Sequence, residues 1–344
     1  MSDVPKVSVV MPALNAEKYV AEAIESILGQ TLRDVEFIII NDGSTDATAE
    51  ILESYCRRDT RIHVQHQANS GAATAMNLGC RLARGKYIAR MDADDISLPQ
   101  RLARQVAYLD RQPELSMCGT WIRTFGRSKQ HSIRYPYDPN VALCTLPFQM
   151  PLGGGSLMFD RRFYSEHGVR YNADVGATDD YLFVVECSKY GRVSSVPEVL
   201  YRYRRHPMQV TEVLKEQQHR FARQIRLRQL EELGLQPSDD ELSLHESICT
   251  WKVEGDKQWV MKIEDWLVKL KATNLRNGKY PKSAFARVLA DYWFAACTRN
   301  ARLGLWTYKT FLGSPLATDS NLGTRRKLKF LVKCAANNFA SVMA

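Results

Sequence analysis

The chain has 344 residues, 45% of them apolar and 25% charged, which excludes a disordered, collagen-like or disulfide-stapled polypeptide and leaves room for one large domain with an appendage, or for two domains. Eight cysteines lie scattered without any C-x-x-C spacing, so neither a zinc site nor a disulfide framework is expected. A net charge of +9 admits a polyanionic partner, whether nucleic acid, acidic membrane or phosphorylated substrate, without choosing among them.

Residues 1–30 show no basic start followed by an apolar stretch, and Asp3, Glu17 and Glu22 interrupt the pattern, so no secretory leader is expected and the chain is placed in the cytoplasm. Short β-branched runs then alternate with helical patterns. Strands are expected at 7–11, 35–41, 61–66 and 86–91, with helices at 19–28, 46–58 and 72–84 between them. Runs of about five apolar residues suit buried strands of a parallel sheet, and the alternation predicts a doubly wound α/β sheet. Ligands of such sheets bind beyond the carboxyl ends of the strands. The loops that leave those ends are Pro12-Ala13-Leu14-Asn15, Asn41-Asp42-Gly43-Ser44, Asn69-Ser70-Gly71 and Asp92-Ala93-Asp94-Asp95, so polar and acidic groups converge on one sheet edge. None is a dinucleotide fingerprint or a P-loop. Residues 111–210 are less regular, with the run Gly153-Gly154-Gly155, a strand at 156–159, a helix at 180–190 and a strand-like segment at 199–203. From 211 the composition turns helical, and the domain boundary is expected at 208–211.

Asp92-Ala93-Asp94 at a strand end sets two carboxylates on one side of the chain, which suits Mg²⁺ or Mn²⁺ bridging to a diphosphate. Asp95 reads equally well as the cap of a helix running to Asp110. Asp42 and Ser44 could belong to a plain turn and N-cap, but beside Asp92 the Asp42 carboxylate is placed to bond a base edge or a ribose. Asn69, Gly71 and Asn77 are individually weak signals, and Gly71 reads as opening a helix. Of Asp179 and Asp180, one caps or opens a helix and one is a candidate general base. The turn at Gly154 and Gly155 is either flexible or lets a substrate approach the backbone. His206 is more often a core or surface histidine than a ligand.

Taken in order, the segments 7–15, Ile40-Asn41-Asp42-Gly43-Ser44-Thr45-Asp46 and Met91-Asp92-Ala93-Asp94-Asp95 resemble the family 2 glycosyltransferases of GT-A fold, over about residues 5–210. The resemblance implies a Rossmann-like nucleotide-sugar sheet at 1–210, split near 110 into a nucleotide half and an acceptor half, with a mainly helical extension at 211–344. It implies that Pro12, Ala13, Asn15, Asp42, Ser44, Asn69, Gly71, Asn77, Asp92, Gly154, Gly155 and Asp179 line the substrate site, with the base held by Ala13 and Asp42 and the ribose by Asp92. Asp94 would bind a divalent metal, Mn²⁺ or Mg²⁺. Asp179-Asp180 resembles the family's Glu-Asp pair, so the role of catalytic base falls to Asp180, although the first acid here is Asp. Tyr203-Arg204-Arg205-His206 resembles the late Tyr-Arg-x-His segment, in which the histidine completes the metal or diphosphate site. Met76 stands where many members carry an Arg before the Asn equivalent to Asn77, leaving one expected phosphate or base contact open.

The implied reaction is an inverting single displacement from a nucleoside-diphosphate sugar, a UDP-sugar first in rank, to a hydroxyl of a glycan or lipid-linked acceptor. A non-catalytic nucleotide-sugar-binding or membrane scaffold is the alternative. A sugar nucleotidyltransferase ranks lower, because Pro12-Ala13-Leu14-Asn15 is neither glycine-rich nor basic. Nucleic acid is not expected as a partner, since only net charge favours it. At 321–344 five basic residues and no acid lie among Leu328, Phe330, Leu331, Val332 and Phe339. That pattern fits either a helix lying on an anionic membrane at the inner face of the plasma membrane or a terminal helix packed on the protein.

Overall fold

The computed structural model describes residues 4–127, 130–320 and 322–340. The described chain divides into two compact units, one comprising the residues up to Ala142 with Met150–Ala222, the other Leu143–Gln149 with the residues from Arg223 onward.

The first unit is built on strands β1 (Val7–Ala13), β2 (Val35–Asp42), β3 (Ile62–Gln67), β4 (Tyr87–Arg90), β5 (Ile96–Ser97), β6 (Leu115–Gly126), β7 (Ser132–Ile133), β8 (Met158–Asp160) and β9 (Arg192–Arg205). Among the described residues they form one mixed sheet in the order β3-β2-β1-β4-β8-β6-β9-β5, with β7 beside β6. Of the first four, β1, β2 and β4 are mainly apolar and buried, and β3 is a partly exposed edge strand; all four run parallel, joined by the helices Val20–Leu28, Thr48–Cys56 and Ala72–Leu82. Their carboxyl ends therefore share one edge, which gathers the polar loops. β8 is antiparallel to β4 and to β6, while β6 and β9 are parallel. Val9, Met11, Phe37, Ile39, Ile24 and Leu102 belong to the core over which the sheet closes.

The sheet differs from the sequence expectation in its second half. β6 and β9 span 12 and 14 residues, where only a short strand at 199–203 was expected. Pro197 lies in an irregularity of β9: Val196 pairs with Thr120, and the next pair is Val199 with Trp121, so the proline is excused from the ladder. Ile96 and Ser97 do not enter a helix but pair with Arg202 and Tyr201, and the helix that follows begins at Arg101. Asp95 is thus not its cap. The helix expected at 46–58 begins at Thr48, whose N–H bonds Asp46, and the helix expected at 180–190 runs Asp179–Cys187.

The second unit is helical. Ser238 and Glu241 form a reciprocal capping box at the start of Asp239–Cys249, Asp256 caps Lys257–Asn277, and Gly278 ends that helix in the left-handed conformation. Trp266, Leu267, Phe285 and Trp293 are buried in its core. The segment Leu143–Gln149 belongs to this core: the Pro147 carbonyl pairs with His245 Nε2 at 2.9 Å, and Phe148 stacks on Tyr292 at 4.3 Å. Burial lowers the His245 pKa to about 4, so it is a neutral packing residue. The terminal helix Thr324–Ala340 buries Phe330 and Cys334 and sets Phe330 edge-on to Phe294 and Phe311, while Leu328 and Val332 stay exposed. It therefore packs within the helical unit. Residues 321 and 341–344 of the basic tail lie outside the described residues. No helix among the described residues is long and apolar enough to cross a membrane.

Candidate active site

The loops leaving β1, β2 and β3 are laced together by short polar side chains. Asn15, at φ 47°, accepts the Thr45 N–H at 2.8 Å, and its own N–H donates to Ser44 Oγ at 3.0 Å. Asp42 is buried and accepts three bonds, from Gln67 Nε2 at 2.6 Å and from the backbone N–H groups of Ser70 and Gly71 at 2.9 Å each. Its carboxylate thereby fixes the Asn69-Ser70-Gly71 loop, and Gly71, at φ 87°, opens the next helix as expected. Pro12 and Ala13 end β1 opposite Ile40 and Asn41, beside this loop system. Asn15 and Ser44 brace one loop against the other.

Beyond β4, three carboxylates crowd together. Asp94 Oδ2 lies 2.9 Å from His206 Nε2, so the structure brings together the two candidate metal ligands, 112 positions apart in sequence. Burial, helped by Asp92, raises the Asp94 pKa, and His206 opposes the shift. Asp95 is completely buried, and burial with the charges of Asp94 and Asp92 holds its pKa well above the ordinary carboxylate value. Asp95 receives the Arg204 N–H at 2.7 Å, and Arg204 Nε donates to the Asp94 carbonyl at 2.6 Å. The end of β9 thus clamps the acidic loop and delivers His206 to it.

The turn Gly154–Ser156 is threaded between the two acidic groups. A Cβ on Gly154 would sit 2.2 Å from Asp180 Oδ2, and one on Gly155 would sit 2.6 Å from Asp92 Oδ2 and 2.5 Å from the Tyr201 hydroxyl. A side chain at either place would have to displace these groups, so the glycines let the backbone run directly between the carboxylates. From below, Arg101 donates to the Gly155 carbonyl at 3.3 Å and Gln105 to the Ser156 carbonyl at 2.7 Å. Arg101 is fully buried without a carboxylate bonded to it, and burial lowers its pKa to about 10. Asp179 and Asp180 open their helix after Thr178. Burial first, then the Asp179 charge, pushes the Asp180 carboxyl up to about 6, while Arg90 pulls the other way. Asp179 is raised by burial too.

Arg90 is the group that sequence reasoning missed. It ends β4 and lies 3.1 Å from Asp92 through Nε and 3.5 Å from Asp179 through an NH1 nitrogen. One basic residue at the end of an apolar strand was the available signal, since a buried guanidinium demands carboxylates. Asn77 stands apart from the other predicted residues: its amide donates to the Tyr171 carbonyl at 2.7 Å and accepts the Tyr171 N–H at 3.1 Å, so both ends are engaged by the protein's own backbone.

A parallel sheet with an acid-lined carboxyl edge, closed by a mixed second half, is the GT-A class of glycosyltransferase architecture. Residues 8–168 match the glycosyl transferase family 2, and the chain is 33% identical over 237 residues to an uncharacterized glycosyltransferase of Haemophilus influenzae, covering 66% of this chain and 73% of that one. It is also 32% identical over 229 residues to the uncharacterized glycosyltransferase EpsJ of Bacillus subtilis, covering 61% and 64% of the two chains. Among solved structures it resembles S. aureus TarS 1–349 in complex with UDP-GlcNAc, at TM-score 0.56 and 19% identity over 85% of this chain and 90% of that one. The chain belongs to glycosyl transferase family 2 and is a glycosyltransferase of GT-A fold.

Proposed function

We propose that the protein transfers a sugar with inversion from a nucleoside-diphosphate sugar, foremost a UDP-sugar, to a hydroxyl of a glycan or lipid-linked acceptor. The observation that carries this reading is Asp180, a half-buried carboxyl with its pKa at about 6, set against Gly154 across a glycine turn from Asp92. At neutral pH such a group is ionised yet basic enough to take the proton of an attacking hydroxyl. Attack and departure occur in one displacement, so no covalent sugar–protein intermediate forms. Ala13 and Asp42 hold the base, with Asp42 already oriented by the loop it fixes, and Asp92 holds the ribose. Pro12, Asn69 and Gly71 border the base, and Asn15 and Ser44 keep that border rigid. TarS, crystallised with UDP-GlcNAc, supports the donor class.

A divalent metal fits this arrangement. Among the described residues no group of three metal-binding side chains exists, but Mg²⁺ and Mn²⁺ need few protein ligands when substrate phosphates and waters complete the shell. Asp94 and His206 would hold it, and the carboxylates crowded around Asp94 welcome added positive charge. Bound there, the metal would neutralise the charge of the departing diphosphate.

The test is Asp180→Asn. With a panel of UDP-, GDP- and dTDP-sugars, kcat should fall by about 10³-fold or more while UDP affinity changes by less than about threefold. Transfer at the wild-type rate would overturn the assignment. The terminal helix adds a further element: exposed Leu328 and Val332 beside Arg325 and Lys329 favour contact with an anionic membrane surface near a lipid-linked acceptor. Deleting 321–344 should lower sedimentation with phosphatidylserine vesicles, and unchanged sedimentation would refute the contact.

A further inference from the structure

Arg90 ends a strand whose other residues, Tyr87, Ile88 and Ala89, are all buried, and it is itself only 9% exposed. A guanidinium so far from water must be compensated, and here the compensation comes from two parts of the chain that are remote in sequence. Nε meets Asp92, which follows β4, at 3.1 Å. NH1 faces Asp179 Oδ2 at 3.5 Å, and both of these buried atoms are otherwise without a hydrogen bond. The remaining surroundings hold the guanidinium in place. It lies 5.8 Å from the Tyr171 ring, and Tyr171 stacks on Phe183 at 4.0 Å and 6°, one helical turn beyond Asp179. Asn77 clasps the Tyr171 backbone, and Arg101 takes the Arg90 carbonyl at 3.0 Å.

We propose that Arg90 is a positioning residue that joins the donor-side acid Asp92 to the acid next to the base, Asp179, so that the two acidic groups keep one register. Asn77, expected at the substrate, acts in this same assembly through Tyr171. The proposal rests on the reading of Asp180 as general base. A charge pair that only stabilises the fold would behave differently: its loss would lower Tm but leave the folded molecules fully active. A positioning residue sets the geometry of reaction, where a displacement of about 1 Å costs about 10²-fold in rate.

The experiment compares Arg90→Met, Arg90→Lys, Asp179→Asn and the Arg90→Met/Asp179→Asn double variant in the full-length chain, using the same donor panel, with Tm and calorimetric UDP affinity alongside. Arg90→Met should lower kcat by about 100-fold per folded molecule with donor KM within about threefold. Arg90→Lys, which keeps the charge but not the planar fork, should recover at least about tenfold of that loss. Asp179→Asn should cost much in the wild type and little in the Arg90→Met background. Wild-type kcat in Arg90→Met, or losses that multiply in the double variant, would overturn the proposal. Should Arg90→Met fail to fold, the double variant leaves no lone Asp179 charge, and its kcat relative to Asp179→Asn and Arg90→Lys decides the same question. Wild-type protein inactive on every donor, or an active Asp180→Asn, would instead refute the reading of the base. Inactive Asp180→Asn with fully active Arg90→Met would refute the role of Arg90 alone.

Discussion

Asp42 and Asp179 are both carboxylates almost hidden from water, at 2% and 5% exposure, yet their surroundings are opposite. Asp42 accepts three hydrogen bonds from the end of β3 and the loop that follows it, and its charge is spent on local order. Asp179 keeps an oxygen without any hydrogen bond and leans on Arg90 at 3.5 Å, beside Asp180 and within the field of Asp92. One region is complete before a ligand arrives; the other holds acids together at an electrostatic cost. Recognition of the constant part of a donor needs the first kind of site. Chemistry that moves a proton and disperses a growing negative charge needs the second.

Three changes would break or sharpen that contrast. The largest effect is expected from Gly154→Ala, whose Cβ would fall 2.2 Å from Asp180 Oδ2 while the adjoining Gly155 and Ser156 carbonyls stay tied to Arg101 and Gln105. The Asp180 carboxylate must then yield, and steady-state kinetics should show kcat about 100-fold lower with UDP affinity nearly unchanged. An undiminished kcat would show that the turn does not set the base. Next is Asp42→Asn, whose NH₂ must face a group that already donates: the Gly71 N–H in one orientation of the amide, Gln67 Nε2 and the Ser70 N–H in the other. Denaturant titration should report a loss of about 1–3 kcal/mol, and calorimetry a weaker UDP complex. Equal stability would mean that the loop orders itself without the carboxylate.

The smallest effect has the opposite sign. The Asp180 pKa is raised from 3.8 to about 6 in the folded protein, so its contribution to stability is fully present below about pH 4 and is lost as pH rises through 6. Asp180→Asn removes that loss. At pH 7.5 the variant should be more stable than the wild type by up to about 3 kcal/mol, less as solvent screens the half-buried carboxylate, and at pH 4 the two should coincide. Thermal unfolding at the two pH values checks this; a variant less stable at pH 7.5 would place Asp180 among the satisfied carboxylates with Asp42.

β1, β2 and β4 were legible because each is a mainly apolar, buried run ending in a polar loop, a pattern set by burial on both faces, while the partly exposed edge strand β3 was legible only from the strand–helix alternation. β6 and β9 were not. β6 mixes Gly119, Thr120 and Arg123 into its apolar residues, and β9 contains Pro197, which counts against a strand until the irregularity that houses it is seen. Of the site, the glycines and acids at the strand ends could be picked out from residue type and position. Arg90 carried a signal, one basic residue ending an apolar strand, but nothing local to 87–92 announces its partner at Asp179. Asn77 was selected by its family position, and only the fold reveals that its amide is occupied by Tyr171.

The segment Leu143–Gln149 belongs to the helical unit although the residues on both sides of it belong to the other. The polypeptide therefore passes between the units at three places, after Ala142, after Gln149 and after Ala222. A single recombination breakpoint near 222 would carry Pro147 and Phe148 away with the sheet and leave His245 and Tyr292 without them. Exchange of the helical half among relatives is thus constrained: a new tail must arrive with a matching hook, or evolve around the old one.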